Sequence, residues 1–167
     1  MKKILTIIAV IASLYSNGQT KFDNQKIAIL KYTKDFGWPF SENDKPATLS
    51  NDELTSIDSI LIRCVNEYNP KSEKQYNEVL QVCKQCDYKL EDFVIELKNY
   101  KRQYVPIINA DGEKEVWVNC FCKANHNWKK EIIIHVGGQS CYFNVLINLT
   151  RASYDSFHIN DEGDVQH

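Results

Sequence analysis

The stretch from Tyr100 to Leu149 is rich in β-branched and aromatic residues and contains the clearest turn signals of the chain. Successive residues of a β-strand point to opposite sides of the sheet, and over most of this stretch one of the two sides is apolar. Asp111-Gly112 and Gly137-Gly138 are residue pairs that favour tight turns. The stretch therefore predicts an antiparallel sheet, and the rest of the chain must supply the element that covers its apolar face.

Six segments are predicted as strands because of their β-branched and aromatic content. In chain order they are Phe93–Leu97, Tyr100–Asn109, Glu113–Cys122, Lys129–Val136, Cys141–Leu149 and Ser153–Ile159. An earlier apolar run, Ile27–Leu30, fits either a short strand or a turn of helix, since periodicity does not separate the two at this length.

Ser50 begins the most clearly predicted helix. Ser50 and Glu53 have the spacing of a capping box, in which each residue satisfies a backbone donor at the start of a helix. Apolar residues then recur at helical spacing until Asn69-Pro70, which predicts the end of the helix. A second, weaker helix is predicted over Ser72–Cys86.

Together these elements predict a single α+β domain in which one main helix packs on a curved, four- to six-stranded antiparallel sheet, with a second short helix. In the predicted order, the strand Lys129–Val136 lies between Glu113–Cys122 and Cys141–Leu149. One face of these strands is then apolar, and the helix that begins at Ser50 is expected to cover it. The residues of this face are Val116, Val118, Cys120, Cys122, Ile132, Ile134, Val136, Cys141, Phe143, Val145, Ile147 and Leu149.

The opposite face of the predicted sheet mixes aromatic, amide and imidazole side chains. In the predicted register, Trp117, His135 and Tyr142 lie side by side, and Asn119, Ile133 and Asn144 form the next row. Aromatic rings with a few converging polar groups are the usual lining of a ligand site. The predicted ligand-binding residues are Trp117, Asn119, His135, Tyr142 and Asn144.

Two alternatives to a ligand surface remain open. In the first, the aromatic residues form a second, partly covered core under a loop such as the one from Phe36 to Phe40. In the second, the chain is a small, hydrolase-like enzyme that uses His135 with Ser140 or Tyr142. The sequence contains neither a G-x-S-x-G elbow nor a nucleotide-binding glycine motif. It therefore favours a non-enzymatic binding or interaction module, with no catalytic residue, metal or cofactor assigned.

The chain has six cysteines, an even number, which favours disulfides in an exported protein. A redox pair at Cys83 and Cys86, or a zinc site that adds Cys120 and Cys122, is a weaker alternative because the spacing is irregular. The predicted strand order would separate Cys141 from Cys120 and Cys122 by about 10 Å, too far for a disulfide. Cys120 and Cys122 point the same way and are not expected to pair with each other. The expected partners are therefore the helical cysteines, which are Cys64, Cys83 and Cys86.

Residues 1–18 have the layout of a secretory signal peptide. Two lysines precede the uncharged, mostly apolar run Ile4–Leu14, and Ser16 and Gly18 are small residues at the −3 and −1 positions of a cut before Gln19. A membrane anchor needs roughly 20 apolar residues, so this run is too short to be one.

Residues 19–167 are accordingly predicted to be one exported domain, periplasmic or secreted, without a membrane anchor. The formal net charge of the chain is −2, and its lysines form no basic stripe. Nucleic acid is excluded as a partner, since its binding depends on clustered cations. The expected partner is a protein or a small-molecule ligand.

The pieces YKRQYVPIIN, GEKEVWVNCFC and WKKEIIIHVGGQSCYFNVLINLT resemble a group of small, exported, uncharacterised bacterial proteins. The resemblance spans roughly Ser50 to Ile159 and implies export and an α+β fold, but no catalytic residue. One helix followed by a curved antiparallel sheet is also similar to the cystatin-like or NTF2-like arrangement, which concerns the fold only. The chain lacks the Q-x-V-x-G loop of cystatin-type inhibitors.

Overall fold

The computed structural model describes residues 23–160, so the predicted signal peptide and its cleavage site lie outside the described residues. Between residues 23 and 160 the chain is α+β, with one main helix and a six-stranded mixed sheet. The elements are β1 (Ile27–Ile29), β2 (Lys45–Pro46), α1 (Asn51–Val82), β3 (Lys101–Ile108), β4 (Lys114–Phe121), β5 (Gln139–Asn148) and β6 (Ser153–Asn160). No helix in this range combines the length and the apolar character needed to cross a lipid bilayer.

The strand order of the sheet is β1-β3-β4-β5-β6, and β2 pairs with the outer edge of β3 beside β1. The run Ile27–Leu30, left open between strand and helix, contributes β1. Pairing is antiparallel except between β1 and β3, where Ile27 lies opposite Arg102 in a parallel ladder. The prediction of a wholly antiparallel sheet is wrong at this edge. The chain passes through α1 between the two strands, and such a long crossover permits parallel pairing.

The predicted strand Lys129–Val136 is wrong, because β4 pairs directly with β5 and leaves no place between them. Residues 122–138, which we call the roof segment, form turns and irregular structure instead. The roof segment packs on the sheet face opposite α1, where Trp128, Ile132 and Ile133 join the apolar cluster. The three-residue row of Trp117, His135 and Tyr142 is therefore not formed by three neighbouring strands.

The predicted apolar face is confirmed for the buried rows of β4 and β5, and α1 covers them as expected. It is wrong for Ile132, Ile134 and Val136, which belong to the roof segment on the opposite side of the sheet, and for Cys122 and Cys141, which do not join this core. Val118 of β4 lies opposite Val145 of β5, and both side chains are fully buried. The core between sheet and helix contains Ile57, Ile60, Leu61, Cys64, Val65, Val116, Val118, Cys120, Phe143, Val145 and Ile147. Burial of each large apolar side chain contributes about 2 kcal/mol, so this layer supplies much of the stability of the fold.

Helix α1 continues through Pro70 to Val82, so the predicted end at Asn69-Pro70 and the separate second helix are both wrong. A proline inside a helix costs about 3 kcal/mol, because a backbone donor is lost and the ring crowds the preceding turn. Contacts outside the helix offset this cost. The Asn69 side chain exchanges two hydrogen bonds with the backbone of Ile95, at 2.8 and 2.9 Å. The buried Ser72 hydroxyl donates to the carbonyl oxygen of Phe93 at 2.7 Å.

The same contacts explain why the predicted strand Phe93–Leu97 is wrong. Its backbone pairs with side chains of α1, and no strand lies beside it among the described residues. Short 3₁₀ turns flank it at Leu90–Asp92 and Leu97–Asn99. The segment therefore packs along the second half of α1 and stabilises it through these hydrogen bonds.

The predicted capping box at the start of α1 is confirmed, and it gives the fold a dependence on pH. The Glu53 backbone amide donates to Ser50 Oγ at 3.2 Å, and the Ser50 amide donates to the Glu53 carboxylate at 2.7 Å. Partial burial raises the pKa of Glu53, but hydrogen bonds from Lys114 and Ser50 outweigh it and hold the pKa below its ordinary value.

We expect Glu53→Gln to lower the free energy of unfolding by about 1 kcal/mol at neutral pH. A carboxyl group with a lowered folded-state pKa stabilises the fold above its unfolded value of 4.5, and this contribution is lost as the pH falls through the folded-state pKa. Urea unfolding of both proteins at neutral pH and near pH 3 should show the difference shrinking in acid. Asp52→Asn, in the same turn, is the control and should change little. A difference that persists in acid would contradict the assignment.

Candidate functional site

The sheet face opposite α1 carries a second apolar cluster under two covers. One cover is the roof segment, and the other is the segment 36–40, whose Phe40 ring packs edge-on against Trp117 at 5.8 Å. A cavity of about 610 Å³ remains between these covers and the sheet. It is lined by Phe36, Trp38, Trp117, Asn119, Ile132, Ile133, Ile134, His135, Val136, Gly137, Asn144, His158 and Asn160.

Four of the five predicted ligand-binding residues line this cavity, namely Trp117, Asn119, His135 and Asn144. Asn119 and Asn144 share one face, as the alternation of side chains predicts, but they lie directly opposite each other on β4 and β5, without the predicted Ile133 strand between them. His135 comes from the roof segment rather than from a strand. The fifth residue, Tyr142, lies under His135, and the two rings stack with centroids 3.9 Å apart.

A buried amide that the sequence analysis missed holds the roof segment in place. Gln103 of β3 is fully buried, and its Nε2 donates to the carbonyl oxygens of Trp128 and Glu131. Its Oε1 accepts from the Ile133 backbone amide at 3.0 Å and from Asn119 Nδ2 at 3.1 Å. Asn119 also donates to the carbonyl oxygen of Ile133 at 2.8 Å. Two side-chain amides thus replace the strand ladder that the roof segment lacks.

Two other polar groups on the floor of the cavity have no partner among the described residues. Trp117 is 5% exposed, and its Nε1–H is enclosed without an acceptor. Asn144 is 7% exposed, and its side-chain amide forms no hydrogen bond with another residue in the range 23–160, although its atoms are not sealed off from the cavity. Leaving a buried polar group unpaired costs about 1–3 kcal/mol. The Asn144 amide is therefore available to a ligand in the cavity, whereas the enclosed Trp117 Nε1–H is not open to it.

The mouth of the cavity is apolar and exposed, in contrast to its floor. Trp38, Ile134 and Val136 line it with 74%, 83% and 73% of their surfaces exposed. Among the described lining residues there is no aspartate, glutamate, lysine or arginine. The site therefore combines amide groups below with an uncharged, apolar rim above.

The residues proposed for the enzymatic alternative are not arranged for nucleophilic catalysis. The Ser140 hydroxyl is buried and donates to the carbonyl oxygen of Asp92 at 2.9 Å, so it does not serve His135. Tyr142 presents its ring face to His135. A nucleophile, a base and an orienting acid are required together, and no carboxylate belongs to the described lining. Residues 23–160 also contain no group of three or more side chains suited to a metal ion.

Two disulfides are present among the described residues, and the prediction that the strand cysteines pair with the helical ones is wrong. Cys122 pairs with Cys141, with Cα atoms 5.1 Å apart, because β4 and β5 are direct neighbours and no strand separates them. Cys83 pairs with Cys86 at the end of α1. Cys120 does not pair with Cys122, as predicted, and stays a buried thiol. The Cys122–Cys141 bond joins the two ends of the roof segment at the sheet.

Cys64 is the second buried thiol, and like Cys120 it lies in the core under α1. Burial raises the pKa of Cys64 to about 12 and raises that of Cys120 as well. Thiolates are the reactive form, so these groups are chemically inert in the folded protein.

Gly138 lies at the end of the roof segment, where a side chain is excluded. Its φ is +89°, and a Cβ there would lie 2.6 Å from Cδ2 of Tyr142. We expect Gly138→Ala to cost about 3 kcal/mol, from backbone strain together with the clash. Gly112→Ala is the matched control, because its φ is +80° with nothing within 4 Å. It should cost about 1 kcal/mol in urea unfolding. Equal costs would mean that the Tyr142 ring moves aside freely.

No protein-family profile, no curated protein and no solved structure matches this chain. The resemblance to small exported bacterial proteins therefore stays a prediction. What the chain does must be argued from the cavity and its lining.

Proposed function

We propose that this chain is an exported, non-enzymatic binding module whose ligand occupies the cavity between the sheet and the roof segment. The observation that carries the proposal is the Asn144 amide, which lines the cavity without a partner among residues 23–160. Asn144 is more than nine-tenths buried, where an unpaired polar group is costly. A ligand that pairs with this amide removes that cost.

The cavity has the size and the rigidity of a preformed ligand site. Its volume of about 610 Å³ lies within the range of roughly 300–1,000 Å³ for small-molecule pockets. The hydrogen bonds of Gln103 and the Cys122–Cys141 bond fix the roof segment before a ligand arrives. A fixed site loses little conformational entropy on binding, which favours affinity.

Export is part of the proposal and has two supports. Disulfides form and persist in oxidising compartments, and this chain has two of them. The predicted signal peptide over residues 1–18 supports the same location, periplasmic or secreted. We also propose a cystatin-like arrangement, supported by the packing of α1 across the antiparallel run β3-β4-β5-β6. That likeness concerns the fold and implies no inhibitory activity.

Asn144→Leu tests the proposal, because it separates binding from folding. The Asn144 amide has no partner to lose, so we expect the free energy of unfolding to stay the same or to rise slightly. Asn148→Leu makes the same change on the same strand, but Asn148 is fully buried and donates to Glu113 and Glu115. We expect that variant to lose about 2–3 kcal/mol.

Binding is measured by titrating mixtures of fragment-sized compounds while following the indole Nε1–H resonance of Trp117 by NMR. Compounds that shift this resonance in the wild-type protein should bind at least about tenfold more weakly to Asn144→Leu. Two results would overturn the proposal. One is a screen in which no compound moves the resonance, and the other is equal affinity for both proteins.

A further inference from the structure

We propose that the ligand of this cavity is an uncharged amphiphile, with a hydroxyl or amide head on the floor and an aliphatic tail at the mouth. This inference rests on the proposed function and adds the chemical class of the ligand. It comes from three properties of the lining: its lack of acidic, lysine and arginine side chains, the kind of polar groups on its floor, and the exposure of its rim.

The residue types of the lining disfavour ionic head groups. None of the described lining residues is acidic, lysine or arginine, and its ionisable side chains are the two histidines, His135 and His158. An ammonium group therefore has no counter-ion there, and a carboxylate or sulfate meets no lysine or arginine. A charge moved from water into a cavity without a partner loses its hydration and gains no ion pair. A neutral head group avoids this loss.

The floor calls for a head that both donates and accepts hydrogen bonds. The Asn144 amide, which lines the cavity, offers both a donor and an acceptor. A hydroxyl group or a primary amide has both functions within a small volume and can pair with it. A purely apolar molecule would leave this amide unpaired, which is the state that the ligand must relieve.

The exposed apolar rim favours a ligand with an aliphatic tail. Trp38, Ile134 and Val136 expose 74%, 83% and 73% of their surfaces around the mouth. Large apolar side chains gathered at one opening mark a surface that is covered in use. A hydrophilic molecule such as a free sugar would satisfy the floor but leave this rim in water, whereas a tail attached to the head covers it.

The experiment uses compounds that differ in one feature at a time, each kept below its micelle-forming concentration. Octyl glucoside and octanamide carry neutral heads, octyl sulfate and octyltrimethylammonium carry charged heads, and methyl glucoside has a head without the tail. Affinities are measured by calorimetry, and occupancy of the cavity by the Trp117 indole resonance. We expect octyl glucoside or octanamide to bind at least about tenfold more tightly than the charged and tailless compounds. Comparison of these two identifies the head as hydroxyl or amide.

Two valine substitutions test the position of the tail. Val136→Ser changes the rim, and Val82→Ser makes the same change at an exposed valine on the last turn of α1, outside the cavity lining. We expect the rim variant to weaken binding of the neutral octyl compounds by at least about threefold and the control to leave it unchanged. Equal effects would mean that the tails adsorb to any exposed apolar residue, and the inference would be wrong.

The outcomes separate this inference from the proposed function. If the charged octyl compounds move the Trp117 resonance with equal affinity, the cavity binds ligands but the class is wrong. If methyl glucoside binds as tightly as octyl glucoside, the tail has no role and the class is again wrong. If no octyl compound moves the resonance, the inference fails, and the binding proposal stands or falls on the fragment screen alone.

Discussion

Gln103→Met is expected to lower the free energy of unfolding by about 4 kcal/mol, because several buried groups lose their partner at once. Methionine has a similar volume, so the packing of β3 is kept while all four hydrogen bonds of the amide are lost. The Ile133 backbone amide is left without an acceptor, and the carbonyl oxygens of Trp128 and Glu131 are left without a donor. Urea unfolding followed by tryptophan fluorescence measures the loss.

Amide hydrogen exchange identifies the backbone amides that lose their protection in this variant. In the wild-type protein Gln103 accepts from the Ile133 amide, so this amide should be protected, and the substitution should remove the protection. Gln81→Met is the matched control, because Gln81 is exposed on α1 and its substitution should change stability by less than about 0.5 kcal/mol. If the Ile133 amide stays protected in Gln103→Met, other contacts hold the roof segment and this assignment is wrong.

Replacing Cys122 and Cys141 together by serine is expected to cost about 3 kcal/mol. This cross-link joins residues separated by 19 positions, and the entropy that it removes from the unfolded chain grows with the length of the closed loop. The Cys83–Cys86 bond spans a separation of only 3, so its removal should cost less, about 2 kcal/mol. Replacing both partners leaves no new thiol that can exchange.

The two double variants should also differ in what they do to the cavity. Loss of Cys122–Cys141 frees the ends of the roof segment, so hydrogen exchange should quicken there and ligand affinity should fall. Loss of Cys83–Cys86, at the end of α1 and away from the cavity lining, should leave both unchanged. Equal destabilisation by the two variants, with no change in exchange of the roof segment, would show that the longer bond does not hold the cavity together.

Local sequence patterns were sufficient for the elements whose structure depends on residues close to them in the sequence. The capping box requires only Ser50 and Glu53, and the buried rows of β4 and β5 follow from the alternation of side chains alone. Pro70 misled the prediction because its cost is local, while the hydrogen bonds of Asn69 and Ser72 that offset it come from a segment more than 20 positions away. Residue type does not reveal such distant partners.

The roof segment shows the same limit on strand prediction. Ile132-Ile133-Ile134 has the composition of a strand, but a strand also needs a free ladder beside it, and β4 and β5 leave none. The false strand produced the error about Cys141, since the distance argument depended on it. Gln103 follows Lys101 and Arg102 at the polar start of β3, so its neighbours in the sequence do not indicate that it is buried and needs partners from elsewhere.

Three of the candidate residues share one face of the sheet although the predicted strand order is wrong. Alternation places Trp117, Asn119 and Asn144 on one face whichever strands are neighbours, so this part did not depend on the false strand. The position of His135 could not be derived in this way. It reaches the cavity because Gln103 and Asn119 hold the backbone of the roof segment at Ile133, two residues earlier.

The sheet separates two covers of very different kinds. One cover is the helix α1, whose buried residues are packed against the sheet. A substitution at one of them therefore requires compensating substitutions at its neighbours. The other consists of loops, and loops accept insertions, deletions and exchanged residues far more readily than packed helices do. A chain that keeps α1 and the strands can therefore change much of its pocket through substitutions, insertions or deletions in the residues around 36–40 and 122–138. The ligand that the pocket recognises can therefore change through its loops, while the core between the sheet and α1 stays the same.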